Sequence, residues 1–233
     1  MEKIKISKLI KYAIVVATVI GVALSFIFAK TDGYKNWHYR LLYFTLQSNL
    51  WIGITAFLYL LPAFNCNEKL KEALYVCKYI FTVSITVTGI VFCGLLAPFA
   101  HKDGYNAFTV SSVLLHAVVP ILAIVDYFAD EYRIELERKH LFYSILPPLI
   151  YFVIASIFCL ARVDFGRGDP YPYFFMNYYS PVGVFGIGGE PPFVIGTAYW
   201  IIIFLLFVLT LGFIYYKINK RFFKNKNKER KNA

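Results

Sequence analysis

The chain has 233 residues, 59% of them hydrophobic, with a mean hydropathy of +0.58 and a formal net charge of +10. That is too apolar for a soluble domain and too long for one span, so the composition places it among polytopic membrane proteins. The basic excess invites a nucleic-acid reading, which the placement of the charges argues against.

A span needs roughly 20 mostly apolar residues. Six stretches qualify, at about 9–29, 41–63, 79–99, 108–128, 141–161 and 194–216. The expectation is an all-α polytopic membrane protein: a single domain over residues 1–233, with six transmembrane helices and a basic cytoplasmic tail, 217–233. The first stretch lacks a small-x-small cleavage site before a soluble domain, so it reads as a span and not as a signal peptide. Lys and Arg divide 18 to 6 between alternate loops, with Lys11 counted in the amino-terminal segment and Lys78 in the loop ending there. This is the positive-inside pattern, and it implies a multi-pass protein of the cell membrane with both termini cytoplasmic. The basic tail is then a topology signal in reach of anionic lipid heads, and no nucleic-acid partner is expected.

The first span carries a small-residue face, Ala13, Ala17 and Gly21, suited to close helix approach. The second opens with "YFTLQSNLW". Thr45, Ser48 and Asn49 fall at i, i+3 and i+4 on one face, continued by Gly53 and Ala56, while Gln47 points elsewhere. A lipid-facing polar cluster would be costly, so this face should look into the bundle. Two readings fit: hydrogen bonds between helices, or a reactive group with its supports. The stripe Thr82, Thr86, Gly89, Cys93 and Ala97 in the third span reads as packing.

The fourth span, "FTVSSVLLHAVVPILAIVDYF", holds the one histidine expected within the membrane. Ser112, His116 and Pro120 share a face. Asp126 lies about 15 Å further along, too far to orient the imidazole. His116 is either a satisfied buried histidine or a functional one. Both the second and fourth spans run inward, placing Thr45 roughly 6 Å and His116 roughly 12 Å below the outer boundary. A hydroxyl beside a neutral imidazole makes a nucleophile–base pair able to attack an ester carbonyl. Asn49 is the nearby candidate for stabilising the oxyanion.

Residues 162–194 form an irregular outer loop between helices 5 and 6, with 6 of the chain's 14 Gly and 5 of its 10 Pro. It reads either as an aromatic belt on the membrane surface or as a cap over an outward-facing cavity. The capping reading folds residues 170–180 over the mouth between the second and fourth spans. Ser48, Asn49, Ser112, Tyr171, Tyr173 and Asn177 are the candidate substrate-binding residues. His38, His101 and His140 read as surface residues. Cys66 and Cys77 fall on the cytoplasmic side, where disulfides are rare, and no Cys/His spacing suggests a metal. No cofactor is expected.

"YFTLQSN", "VTGIVFCGLL", "LLHAVVPILAIVDY" and "DPYPYFF", in this order, resemble the androgen-induced-gene / androgen-dependent TFPI-regulating protein family, in its short bacterial branch. The resemblance spans roughly residues 10–216. It implies a membrane threonine hydrolase acting on fatty acid esters of hydroxy fatty acids, with Thr45 as nucleophile and His116 as base. It also implies a lipid or fatty-acyl substrate. After "YPY", Phe174-Phe175-Met176-Asn177 replace the Pro-Phe-Leu-Asp of bacterial relatives, so an amide stands where a carboxylate would. The alternative is a non-enzymatic membrane component that binds or takes up a small molecule, its Ala13/Ala17/Gly21 face docking onto a partner. The sequence leaves the oligomeric state unknown.

The charge asymmetry makes a direct prediction. Accessibility tags at residues 1 and 233 should both react only after the membrane is permeabilised; reaction of either in intact cells contradicts the assignment.

Overall fold

The computed structural model describes residues 2–62, 67–99, 106–130 and 132–232. Cys66, His101 and the last residue of the second expected span lie outside them. The regular structure described is helical: α1 (Glu2–Ile27), α2 (Phe44–Leu60), α3 (Glu68–Val91), α4 (Val110–Ala129), α5 (Arg138–Tyr143), α6 (Leu146–Leu160) and α7 (Thr197–Asn232). A 3-10 helix, Trp37–Leu42, precedes α2.

Five segments are long and apolar enough to cross a membrane: Ile6–Ile27, Glu68–Leu96, Val110–Ala129, Arg138–Leu160 and Thr197–Lys224. At 17 residues, α2 is about 25 Å long and shorter than these. The third expected span begins eleven residues early. Asn67 caps Leu70 N–H at 3.2 Å, and the Glu- and Lys-rich first turns still bury Leu74, Tyr75 and Lys78, which hydropathy alone treats as loop. The fifth is broken at Ser144 and Ile145. Pro147 and Pro148 then start α6, where a missing N–H leaves no helical bond unmade. The basic tail continues α7 as helix to Asn232.

Helices α1, α2, α3 and α4 close a four-membered ring, α1 and α3 each packing on both α2 and α4. Glycine permits the tight approaches. A side chain at Gly53 would meet Thr18 at 2.8 Å, and one at Gly21 would meet Leu115 at 2.8 Å. The Ala13/Ala17/Gly21 face is thus used within the ring, with Ala17 in a shared core with Ile14, Ile52, Ile85 and Val119. The other side of α3 receives α6 and α7. Tyr79 Oη donates to Gly212 O at 2.9 Å, and the Thr86 and Tyr215 hydroxyls pair at 3.0 Å.

His140, expected at the surface, is buried: its Nδ1 accepts the Glu137 N–H at 3.0 Å and closes a capping box at the start of α5. Lys11 and Lys78, counted above as loop charges, are also buried. Lys11 Nζ reaches Asp126 Oδ1 at 2.8 Å and Asp130 Oδ2 at 3.5 Å. Lys78 Nζ reaches Asp126 Oδ2 at 2.6 Å and also pairs with Asp130. All four are at most 8% exposed, and both ammonium groups lie 5.1 Å from the Tyr59 ring centroid. Two cations and two anions thus tie α1, α3 and α4 together and neutralise one another.

Removing one partner strands a buried charge, so Lys78→Ala should lower stability by about 3–5 kcal/mol. Lys78→Met combined with Asp130→Leu should recover much of that. Tryptophan fluorescence during denaturation in detergent measures both.

Candidate functional site

The polar turn at the start of α2 divides its labour. Ser48 Oγ donates to Thr45 O at 3.0 Å and pairs with Thr88 Oγ1 at 2.8 Å, joining α2 to α3. Asn49 Nδ2 donates to Thr45 O at 2.8 Å and to Leu115 O at 2.9 Å, joining α2 to α4. Both Asn49 protons therefore go to carbonyls, and its buried free end is Oδ1, an acceptor without a protein partner. The oxyanion-stabilising role suggested by the sequence is not open to Asn49, because an oxyanion needs a donor. Gln47 turns away and donates to Leu41 O at 2.9 Å.

Thr45 is half-buried at the first turn of α2, whose N-cap residue Tyr43 makes no side-chain cap. A tyrosine from the 162–194 loop takes that place: Tyr173 Oη accepts the Thr45 N–H at a long 3.4 Å. Burial pushes the Tyr173 phenol up to about 12, so it keeps its proton, and its ability to donate, throughout the neutral range. Thr45 and Tyr173 line a cavity of about 40 Å³, walled by Phe44, Thr88, Tyr151 and Phe175 among others. That volume admits one or a few waters.

His116 occupies a π-helical turn, Leu114–Val118. Pro120 has no N–H for the His116 carbonyl and its ring crowds that carbonyl, which the wider turn relieves. The freed carbonyl stands over Gly89, where an added side chain would come within 3.3 Å of it. A second π turn, Phe92–Leu96, has the same offset from Pro98, and its Phe92 ring stacks on the imidazole with centroids 3.6 Å apart. His116 Nδ1 lies 2.8 Å from Ser112 O and 3.1 Å from Ser112 Oγ. A carbonyl only accepts, so Nδ1 carries the proton and Nε2 keeps its lone pair. Ser112 thus orients the imidazole.

Among the described contacts, none joins the Thr45 hydroxyl to the imidazole. The link is one residue removed: Asn49 holds the Thr45 carbonyl and the carbonyl next to His116 on one amide, so the two turns lie side by side.

The loop is pinned to the α1–α2 connection by Lys35 N–H to Gly166 O at 2.8 Å and Arg167 to Asp32 O at 3.1 Å. Its recorded contacts near the cavity fall on α2, α6 and α7, through Tyr173 against Tyr43 and Tyr151 and Phe175 against Phe204. Among the described residues, none of α4, His116 included, lines this cavity; α2, α3, α6, α7 and the loop enclose it. Tyr171 packs in the same aromatic cluster. Asn177 is away from the cavity lining: its Oδ1 accepts the Tyr179 N–H at 3.0 Å, and its carbonyl accepts from Thr197. The sequence reading missed Thr88, Tyr151 and Phe92. Thr88 carried a signal, a hydroxyl inside an apolar span; the two aromatics carried none.

Comparison with family models, curated proteins and solved structures gives no match, so the chemistry rests on this geometry.

Asn49→Ala breaks the tie between α2 and α4 and should lower stability by about 1–3 kcal/mol. Gln47→Ala, whose amide bonds only locally, should cost much less; denaturant titrations in detergent compare the two.

Proposed function

We propose that this chain is a six-span cell-membrane hydrolase that cleaves a lipid-like ester, with Thr45 as nucleophile and His116 as general base. The carrying observation is the imidazole: its Nδ1 is committed to Ser112 O, which leaves Nε2 basic on the turn that Asn49 ties to Thr45. The Thr45 oxygen attacks the ester carbonyl while His116 takes its proton, directly or through one water. Tyr173, protonated and already bonded to the Thr45 N–H, donates to the oxyanion, aided by the positive end of the α2 dipole. The imidazolium then protonates the leaving alkoxide. Water, activated by the same nitrogen, releases the acyl group as a carboxylic acid and restores the threonine.

The apolar cavity wall and the resemblance of the Thr45 and His116 segments to the androgen-induced-gene family support a fatty-acyl ester as substrate. The charge asymmetry supports cytoplasmic termini and a site in the outer half of the membrane. Among the described contacts no hydrogen bond joins Thr45 to His116, which favours the second reading, a non-enzymatic binding or uptake component in which these groups only pack.

Purified protein assayed on p-nitrophenyl esters separates the two. Thr45→Ala and His116→Ala should each abolish cleavage while eluting as folded, monodisperse protein, and Thr45→Ser should keep part of the rate. Destabilised variants with no ester cleavage in the wild type would support the packing reading.

A further inference from the structure

A second and larger cavity, of about 290 Å³, opens between α2 and α6. Leu42 and Phe165 lie at one end and Leu146 and Pro147 at the other, with Trp51 stacked on Phe81 at 5.6 Å beside them. The thirteen-residue stretch of α6 from Leu146 to Phe158 makes the groove about 18 Å long. Tyr151 lines both this groove and the Thr45 cavity, held by its hydroxyl donating to Leu42 O at 3.2 Å.

We propose that this groove is the binding site for the acyl chain of a lipid, which it delivers past Tyr151 to Thr45. This rests on the hydrolase reading for the second step only. Three observations select the occupant. No charged side chain among the described residues lines the groove, and its polar ones are partly used: Tyr151 spends its hydroxyl proton on Leu42 O and Gln47 one amide proton on Leu41 O, which leaves little for a polar ligand beyond the Trp51 indole N–H. Ile150 and Ile154 on the rim are about half exposed and lie within a helix long and apolar enough to span a membrane. There the surroundings are acyl chains and not water. The groove and the small cavity that Thr45 lines also share one wall, the Tyr151 ring. That cavity admits the ester linkage but not a chain, and the groove supplies the missing volume.

Photolabelling in lipid nanodiscs with a diazirine-bearing decanoic acid tests the site without requiring turnover. The label should map to Trp51 and to residues 150–158. Ile154→Trp, which fills the groove from its rim, should reduce it by about tenfold or more, the worth of roughly two buried methylenes. Ile203→Trp, at an exposed position of α7 outside the groove, should leave it unchanged. Label spread evenly over all helices, or unaffected by Ile154→Trp, overturns the proposal. With p-nitrophenyl esters, Ile154→Trp should lower the ratio of decanoyl to acetyl cleavage. A wild type that labels in the groove but cleaves no ester refutes the hydrolase and leaves the acyl site standing.

Discussion

Two lysines and two aspartates buried among three helices set the constraint around which the bundle is built. An isolated charge in an apolar interior is prohibitive, and a pair is tolerable only when its hydrogen bonds are nearly complete. Lys11 and Lys78 share Asp126 and Asp130, and each takes a further contact: Lys11 from Ser7 at 2.8 Å, Lys78 from the Asp126 carbonyl at 3.1 Å. The arrangement admits little rotation or sliding of α1, α3 or α4. It therefore fixes the register of α4 ten residues before Asp126, where His116 stands.

From that anchor the helices are free to deform at the other end, and both deformations follow from proline. Pro98 and Pro120 each end a wide turn two residues earlier, because each lacks the N–H that the carbonyl four residues back requires. The wide turns face each other, and the Phe92–His116 stack joins them. A glycine, Gly89, leaves room for the carbonyl that Pro120 displaces. The imidazole is therefore placed by backbone geometry and then given a defined tautomer by Ser112.

Polar groups at the site serve two kinds of purpose. Ser48 and Asn49 hold helices together, which explains most of the polarity at the start of α2. Thr45 is different: its carbonyl is the acceptor for both, while its side chain lines a cavity. Its N–H is met by a loop tyrosine and not by a cap from its own helix.

The sequence by itself determined the helical class, five of the six expected apolar spans, the broken loop at 162–194 and the shared polar face of Thr45, Ser48 and Asn49, since these follow from composition, hydropathy and the 3.6-residue period. It also pointed to His116 with Ser112 one turn behind, a spacing internal to one helix. Only the tertiary structure decided what each polar group does. The orientation of Asn49, the buried pairing of Lys11 and Lys78, the capping of α2 by Tyr173 and the place of Tyr151 between two cavities all depend on contacts between segments distant in the chain. Local periodicity carries no information about those contacts. Charge was the most misleading local signal, because a lysine at the edge of an apolar stretch looks the same in sequence whether it meets water or a buried aspartate.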